Sequence, residues 1–212
     1  MTLSNLIVGL IFDIMYQKYT GIILKKHPFG EADELLTIYS RESGKIRVKA
    51  VSVRKPLSKL AGHLQSLNEI EFEVVARSKH LPVMISVRAL TVNNYLRQNL
   101  RKFGFALVGI ETLYRLTGDG QENLEAYNEL RAFLKNLGEN PDENLALRRF
   151  QLQVLAANGY AFPVETQTNG DFTLTHAGNF QLTSTLEKEI DQFIDYVLER
   201  EIKSVKVLDS LI

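Results

Sequence analysis

An α+β fold is predicted: an N-terminal five-stranded β-barrel of the OB type, followed by an α-helical bundle. Three observations carry this. Between Thr20 and Asn93 apolar residues recur with a period near two, broken at short intervals by turn signals. A longer excursion follows the third of these strands, as in a small Greek-key barrel. From Asn94 onward the period changes to 3.6, with short Gly-containing breaks between segments. A plain antiparallel sandwich is the alternative for the first part.

The elements follow in order. Residues 1–14 are mostly apolar, as in Leu6-Ile-Val-Gly-Leu-Ile-Phe12, but Asp13 interrupts the run. The run is too short to span a bilayer and lacks a basic leader and a cleavage site. It reads as an extension upstream of a start at Met15, or else as a short helix packed on the body. Thr20–His27 reads as the first strand, closed by Pro28-Phe-Gly30, and Glu34–Ser40 as the second. Arg41-Glu-Ser-Gly44 is a short hairpin loop, and Lys45–Val53 the third strand. A basic loop, Arg54–His63, leads to strands at about Asn68–Ala76 and Leu81–Val92. One long helix carries Leu96, Leu100, Phe103, Leu107, Ile110, Leu113 and Leu116, and Thr117-Gly-Asp-Gly120 ends it. A second runs from Leu124 to Leu137 and is stopped by Gly138. A third is capped by Asp142 and ends at Asn158-Gly159, and a fourth spans about Leu186–Ile202.

The chain has 25 basic and 25 acidic residues, so its net charge is zero, but the charges are segregated. Met1–Phe103 holds 16 Lys and Arg against 8 Asp and Glu, a net of +8. Gly104–Ile212 holds 9 against 17, a net of −8. The densest stretch is Arg41–Lys59, with seven cations and Glu42 as its one acid. Such a split implies two modules with different partners. The absence of cysteine excludes disulfides, thiol nucleophiles and thiolate zinc sites.

Within the third strand Ile46, Val48 and Ala50 alternate with Lys45, Arg47 and Lys49, which places three cations on one face. Three aligned cations make a poor core and a good track for a phosphate backbone. Arg41, Arg54, Lys55 and Lys59 extend the track, and Lys25 and Lys26 add to it from the first strand. Across the hairpin Tyr39 alternates with Leu36 and Ile38, so its ring is expected on the polar side, where it can stack on a base. With about six cations on phosphates, log K is expected to fall with log salt at a slope of roughly −4. The blander reading is that these lysines only solvate a strand face.

Catalysis finds little support. His27, His63, His80 and His176 share no ligand spacing, and no metal or cofactor is expected. Ser52-Val-Arg-Lys55 matches a serine-x-x-lysine pattern, but on a strand-to-loop segment and without partner motifs. On the fourth helix Glu187, Glu189, Asp191, Asp195, Glu199 and Glu201 read as the solvated face, with Leu186, Ile190, Phe193, Ile194, Val197 and Leu198 inward. A partner with a basic surface is the sharper alternative for this acidic half.

The chain resembles the RecO family of bacterial recombination-mediator and DNA-repair proteins. The resemblance rests on Tyr19-Thr-Gly-Ile-Ile-Leu-Lys-Lys26, Phe29-Gly-Glu-Ala-Asp33, Leu36-Thr37 and Ser43-Gly-Lys45. It continues in Arg54-Lys-Pro-Leu-Ser-Lys59, Leu60-Ala-Gly-His-Leu-Gln65 and Glu201-Ile-Lys-Ser-Val-Lys-Val-Leu208, and so spans about Met15 to Leu211. It implies an OB-fold domain at 15–93, a helical domain at 94–163 and a C-terminal segment at 164–212. It also implies a cytoplasmic protein that binds single- and double-stranded DNA, anneals strands and loads recombinase. The implied partners are a RecR-like protein and the acidic tail of single-stranded DNA-binding protein. For that tail the candidates are Arg148 and Arg149 beside Phe150, since an acidic, apolar-ended peptide wants cations next to an apolar groove.

One departure concerns the zinc module that many such proteins carry after a segment like Gly159-Tyr-Ala-Phe-Pro163. The corresponding stretch here, Glu165–Asp171, has no cysteine, so no zinc is expected. Packing of Phe172, Leu174 and Phe180 is expected to hold the C-terminal region instead. Two other functions stay open: an OB-fold RNA-binding module and a non-catalytic protein adaptor.

Overall fold

The computed structural model describes residues 14–78, 80–139, 141–160, 162, 183–198 and 208. The expectations for residues before Ile14, for Glu165–Asp171, and for Phe172, Leu174, His176, Phe180, Glu199 and Glu201 lie outside these. The expected α+β class is found, as five strands followed by helices. The chain forms two compact units, residues 1–94 with 117–127, and residues 95–116 with 128–212.

In the first unit, β1 (Ile14–Phe29), β2 (Asp33–Ser40), β3 (Gly44–Ala50), β4 (Glu69–Arg77) and β5 (Val83–Thr91) close a barrel in the order β1-β2-β3-β5-β4. β1 is longer than its apolar alternation suggests, because it serves two neighbours. Its first half pairs with β4, from Ile14↔Arg77 to Ile22↔Glu69, and its second half pairs with β2. A bulge between Ile23 and Lys25 bends it from one partner to the other. The parallel pair Lys49↔Val83 closes the cylinder. Ile23, Leu36, Ile38, Val48, Ile70, Phe72, Val74 and Met84 fill the interior, with Leu64 reaching in from the long loop. Tyr19 stacks on Phe72 at a centroid distance of 5.6 Å.

Two boundaries in this unit differ from expectation. β3 ends at Ala50 rather than Val53, because Ser52 takes φ +57° and leaves the strand. The segment Thr117–Tyr127 lies with the barrel although it is flanked by helices. Its anchors are polar: Gly120 N–H donates to the Lys45 carbonyl at 2.8 Å, and Tyr127 donates to Glu69 Oε1 at 2.7 Å.

The helices are α1 (Asn94–Gln98), α2 (Leu100–Leu116), α3 (Leu124–Glu139), α4 (Glu143–Ala157) and α5 (Ser184–Leu198). All lie in the second unit except Asn94 and the first turn of α3, Leu124–Tyr127, which belong to the first. The long helix expected from Leu96 is two helices. Asn99 interrupts it, and its side chain accepts the Lys102 N–H at 3.0 Å as the N-cap of α2. Gly138 does not stop its helix either. It lies inside α3, where a Cβ would come within 2.4 Å of the Tyr95 ring. The Phe133 and Phe150 rings stack at 4.4 Å, an approach that Gly109 permits by leaving Phe133 room. Asp142 caps α4 as expected, accepting the Leu145 N–H at 2.9 Å. Leu186, Ile190 and Ile194 of α5 are buried. No helix among the described residues is long and apolar enough to cross a membrane.

Candidate nucleic-acid interface

The barrel sequence builds two cationic regions at opposite ends of β3, about 20 Å apart for a strand of this length. One is the β2–β3 turn. It is a three-residue loop, Arg41-Glu42-Ser43, ending at Gly44, whose φ of +61° supplies the left-handed residue such a hairpin needs. Arg41 is exposed there. The acid beside it is occupied, since both Glu42 carboxylate oxygens accept the Thr20 N–H, at 3.0 and 3.1 Å.

At the other end, residues 51–68 hold the densest free charge. Ser52 N–H donates to Asp33 Oδ1 at 2.8 Å, and Arg54 N–H donates to the Ala32 carbonyl at 2.9 Å. Val53 and Leu64 are buried, so the loop is pinned at both ends by apolar anchors. Between them Arg54, Lys55 and Lys59 are exposed and form no ion pair among the described residues. With them stands Leu57, 94% exposed. The sequence offered a signal for Leu57, an apolar residue inside a Pro- and Lys-rich turn, but apolar residues in loops more often pack than protrude.

The track expected along β3 is present in register and absent as free charge. Lys45, Arg47 and Lys49 pair across the hairpin with Tyr39, Thr37 and Leu35. Each of the three is met by a carboxylate. Lys45 is only 7% exposed; its ammonium donates to the Thr117 carbonyl at 2.5 Å and lies 3.5 Å from Asp119. Arg47 pairs with Asp119 at 3.1 Å, and Lys49 with Asp33 at 2.9 Å. Lys26 pairs with Glu34 at 3.3 Å, and Lys25 is half-buried with contacts of its own. Asp33 and Asp119 each lie well apart along the chain from the cation they meet, so the alternation of charges along β3 gives no sign of them.

Tyr39 requires a correction. Its ring is fully buried and its hydroxyl has no hydrogen-bond partner among the described residues, so it presents no face to a base. Burial pushes the phenol up to about 12. Alternation places a side chain on the outer face of a strand, but it does not say whether that face is covered. The helical candidates are corrected too. Phe150 is 1% exposed under Phe133, and Arg148 donates to Asp191 of α5 at 2.9 Å through Nη2. Of the three, only Arg149 is exposed, so they form no groove for an acidic tail. On α5 the expected solvated face is partly used: Asp191 meets Arg148 and Glu187 accepts from Asn144, while Glu189 and Asp195 are exposed.

Asp33 carries a pH-dependent contact at the root of the loop. The Ser52 N–H first, and the Lys49 ammonium second, hold its carboxyl below the ordinary 3.8. A lowered folded value means its contribution is present above pH 3.8 and is lost as pH falls through the folded value. The Asp33 carboxyl carbon shift, followed by NMR against pH, is expected to titrate below 3.8. A midpoint at or above 3.8 would remove the clamp from the account.

Comparison with known proteins supplies the family. The model described as Recombination protein O N terminal matches residues 15–92, and that described as Recombination protein O C terminal matches residues 97–180. The chain is 33% identical over 143 residues to the DNA repair protein RecO of Pelotomaculum thermopropionicum, covering 68% of this chain and 55% of that protein. It is 30% identical over 143 residues to that of Dehalococcoides mccartyi, covering 68% and 56%. It is 31% identical over 148 residues to that of Cutibacterium acnes, covering 66% and 60%. The chain thus spans little more than half the length of these curated relatives. With its barrel and its helical region each matched by one half of the same two-part family, the chain belongs to the RecO family.

Proposed function

We propose that this chain is a DNA-repair protein that binds single strands without regard to sequence and anneals complementary ones, with no covalent step of its own. The observation that carries this is the pinned loop on which Arg54, Lys55 and Lys59 stand exposed with no ion pair among the described residues, next to a closed five-stranded barrel. Cations that bind phosphates displace condensed counterions, so affinity comes from the backbone and tolerates any base order. Annealing then needs only that charge repulsion between two strands be neutralised while their bases search for register. Loading of recombinase, with a RecR-like partner and the tail of single-stranded DNA-binding protein, belongs to the same reading. The resemblance to the family implies that part; the names of the relatives support DNA repair alone, and Arg148 and Phe150 lend the partners nothing.

The structure lowers the expected salt dependence. Lys45, Arg47 and Lys49 already share the carboxylates of Asp119 and Asp33, which leaves four cations of the expected track, Arg41, Arg54, Lys55 and Lys59, with no ion pair among the described residues. For four contacts on a single strand the slope of log K against log salt is about −3. Titration of an unstructured oligonucleotide between low and moderate salt measures it, and a slope near zero would overturn the proposal. Competition between DNA and RNA strands of one sequence, with annealing rates for complementary DNA pairs, tests the choice of nucleic acid. A clear preference for RNA without annealing would replace this reading by an RNA-binding one.

A further inference from the structure

The same loop carries a residue that phosphate binding does not explain. Leu57 is 94% exposed, the most exposed of the large apolar side chains described. It is also held in a defined place. The Ser58 N–H donates to the Lys55 carbonyl at 3.0 Å, closing a turn in which Pro56 and Leu57 are the two central residues. Pro56 fixes one backbone angle of that turn. A second hydrogen bond, Lys55 N–H to the Ser52 carbonyl at 3.3 Å, ties the turn to the clamped residue before it. The Arg54 side chain reaches back to the Gly30 carbonyl at 3.4 Å. Leu57 therefore projects from a braced corner rather than from a loose strand of chain.

The charge around that corner selects its occupant. Arg54 and Lys55 precede Leu57 and Lys59 follows it, all exposed, so the ligand is a polyanion that also offers apolar surface. A single strand of nucleic acid is such a ligand, with phosphates spaced along its backbone and base faces between them. A duplex hides those faces in its stack. We infer that Leu57 is a base-contacting wedge, packing against the face of an unstacked base while Arg54, Lys55 and Lys59 hold the phosphates on either side. It takes the place in the interface that Tyr39, being buried, cannot take. Apolar side chains placed against base steps in this way separate stacked bases, and this would let an annealing protein hold bases splayed for pairing.

This inference rests on the nucleic-acid reading above, and its test separates the two. The intact chain and Leu57→Ala are titrated with a fluorescent single strand and with the same strand carrying abasic sites throughout. On the base-bearing strand Leu57→Ala is expected to bind about fivefold more weakly at every salt concentration, the effect of half-burying one leucine. The salt slope stays unchanged, because an apolar contact releases no counterions. On the abasic strand the two proteins bind alike. Leu57→Phe restores or exceeds wild-type affinity on bases, and thermal unfolding is unaltered by either change at so exposed a position. Equal binding of wild type and Leu57→Ala to the base-bearing strand would overturn the wedge while leaving phosphate binding intact. An equal loss on the abasic strand would also overturn it. So would weaker binding of Leu57→Ala to a fluorescent acidic, apolar-ended peptide, titrated alongside, with no change on either strand. Failure of wild type to bind any oligonucleotide would remove the nucleic-acid reading and the wedge together.

Discussion

Single-strand affinity is expected to fall about a hundredfold near 0.1 M salt when Arg54, Lys55 and Lys59 are all changed to glutamate, because each lost phosphate contact costs roughly 0.7 in log K there. The salt slope should flatten by about 2, leaving what Arg41 contributes. Equilibrium titration at several salt concentrations reads both quantities. The three side chains are exposed and make no ion pair among the described residues, and Arg54 loses one exposed contact to the Gly30 carbonyl, so thermal stability should fall only slightly and a hundredfold loss can be assigned to binding. Retention of wild-type affinity would sink the assignment of the loop. Reversal of Lys45, Arg47 and Lys49 is a poorer experiment. A glutamate at position 45 would be buried against the Thr117 carbonyl and beside Asp119, so it would report on folding.

Gly44→Ala is expected to be the most damaging single substitution near the interface, costing about 2–4 kcal/mol of stability from a strained dihedral and a backbone clash. Gly44 has φ +61°, and a Cβ there would lie 1.8 Å from the Gln121 carbonyl oxygen. Neither atom is the end of a flexible side chain, so the strand or the 117–127 segment has to move. Denaturant unfolding measures the loss. Gly30→Ala is the control, since φ there is +63° with nothing within 4 Å, and the dihedral alone should cost about 1 kcal/mol. Equal losses at the two positions would show that the 117–127 segment does not press on the hairpin. The consequence reaches the interface as well, because displacing that segment removes Asp119 from Lys45 and Arg47.

Much of the fold could be read from residue order. Alternation identified β4 nearly to the residue, since it buries one face of the barrel wall, and it located β2 and β5 to within two residues, although β2 is buried on both faces from Leu36 to Ser40. β1 was seen in half, because Ile14–Tyr19 gains its identity from pairing with β4, a partner about sixty residues away. The break at Asn99 depends on one side-chain cap that periodicity does not register, and Gly138 depends on a tyrosine ring from another helix. Among the site residues, Arg41, Arg54, Lys55 and Lys59 could be read as exposed cations because turns and loops run over the surface. Lys45, Arg47, Lys49 and Tyr39 were assigned to the correct strands, but whether each was free was not visible.

Local order along the chain was enough to establish a basic barrel followed by an acidic helical region, and to establish the family. Period and charge are properties of neighbouring residues, and burial of one face is all that a strand or helix needs to display them. Which cations are available to a polyanion was settled by folding. Asp33 meets Lys49 once the β2–β3 hairpin pairs in register, and Asp119 and Thr117 reach β3 only when the 117–127 segment lies over it. A charge is neutralised by whatever stands within a few ångströms of it in space, and distance along the chain carries no information about that.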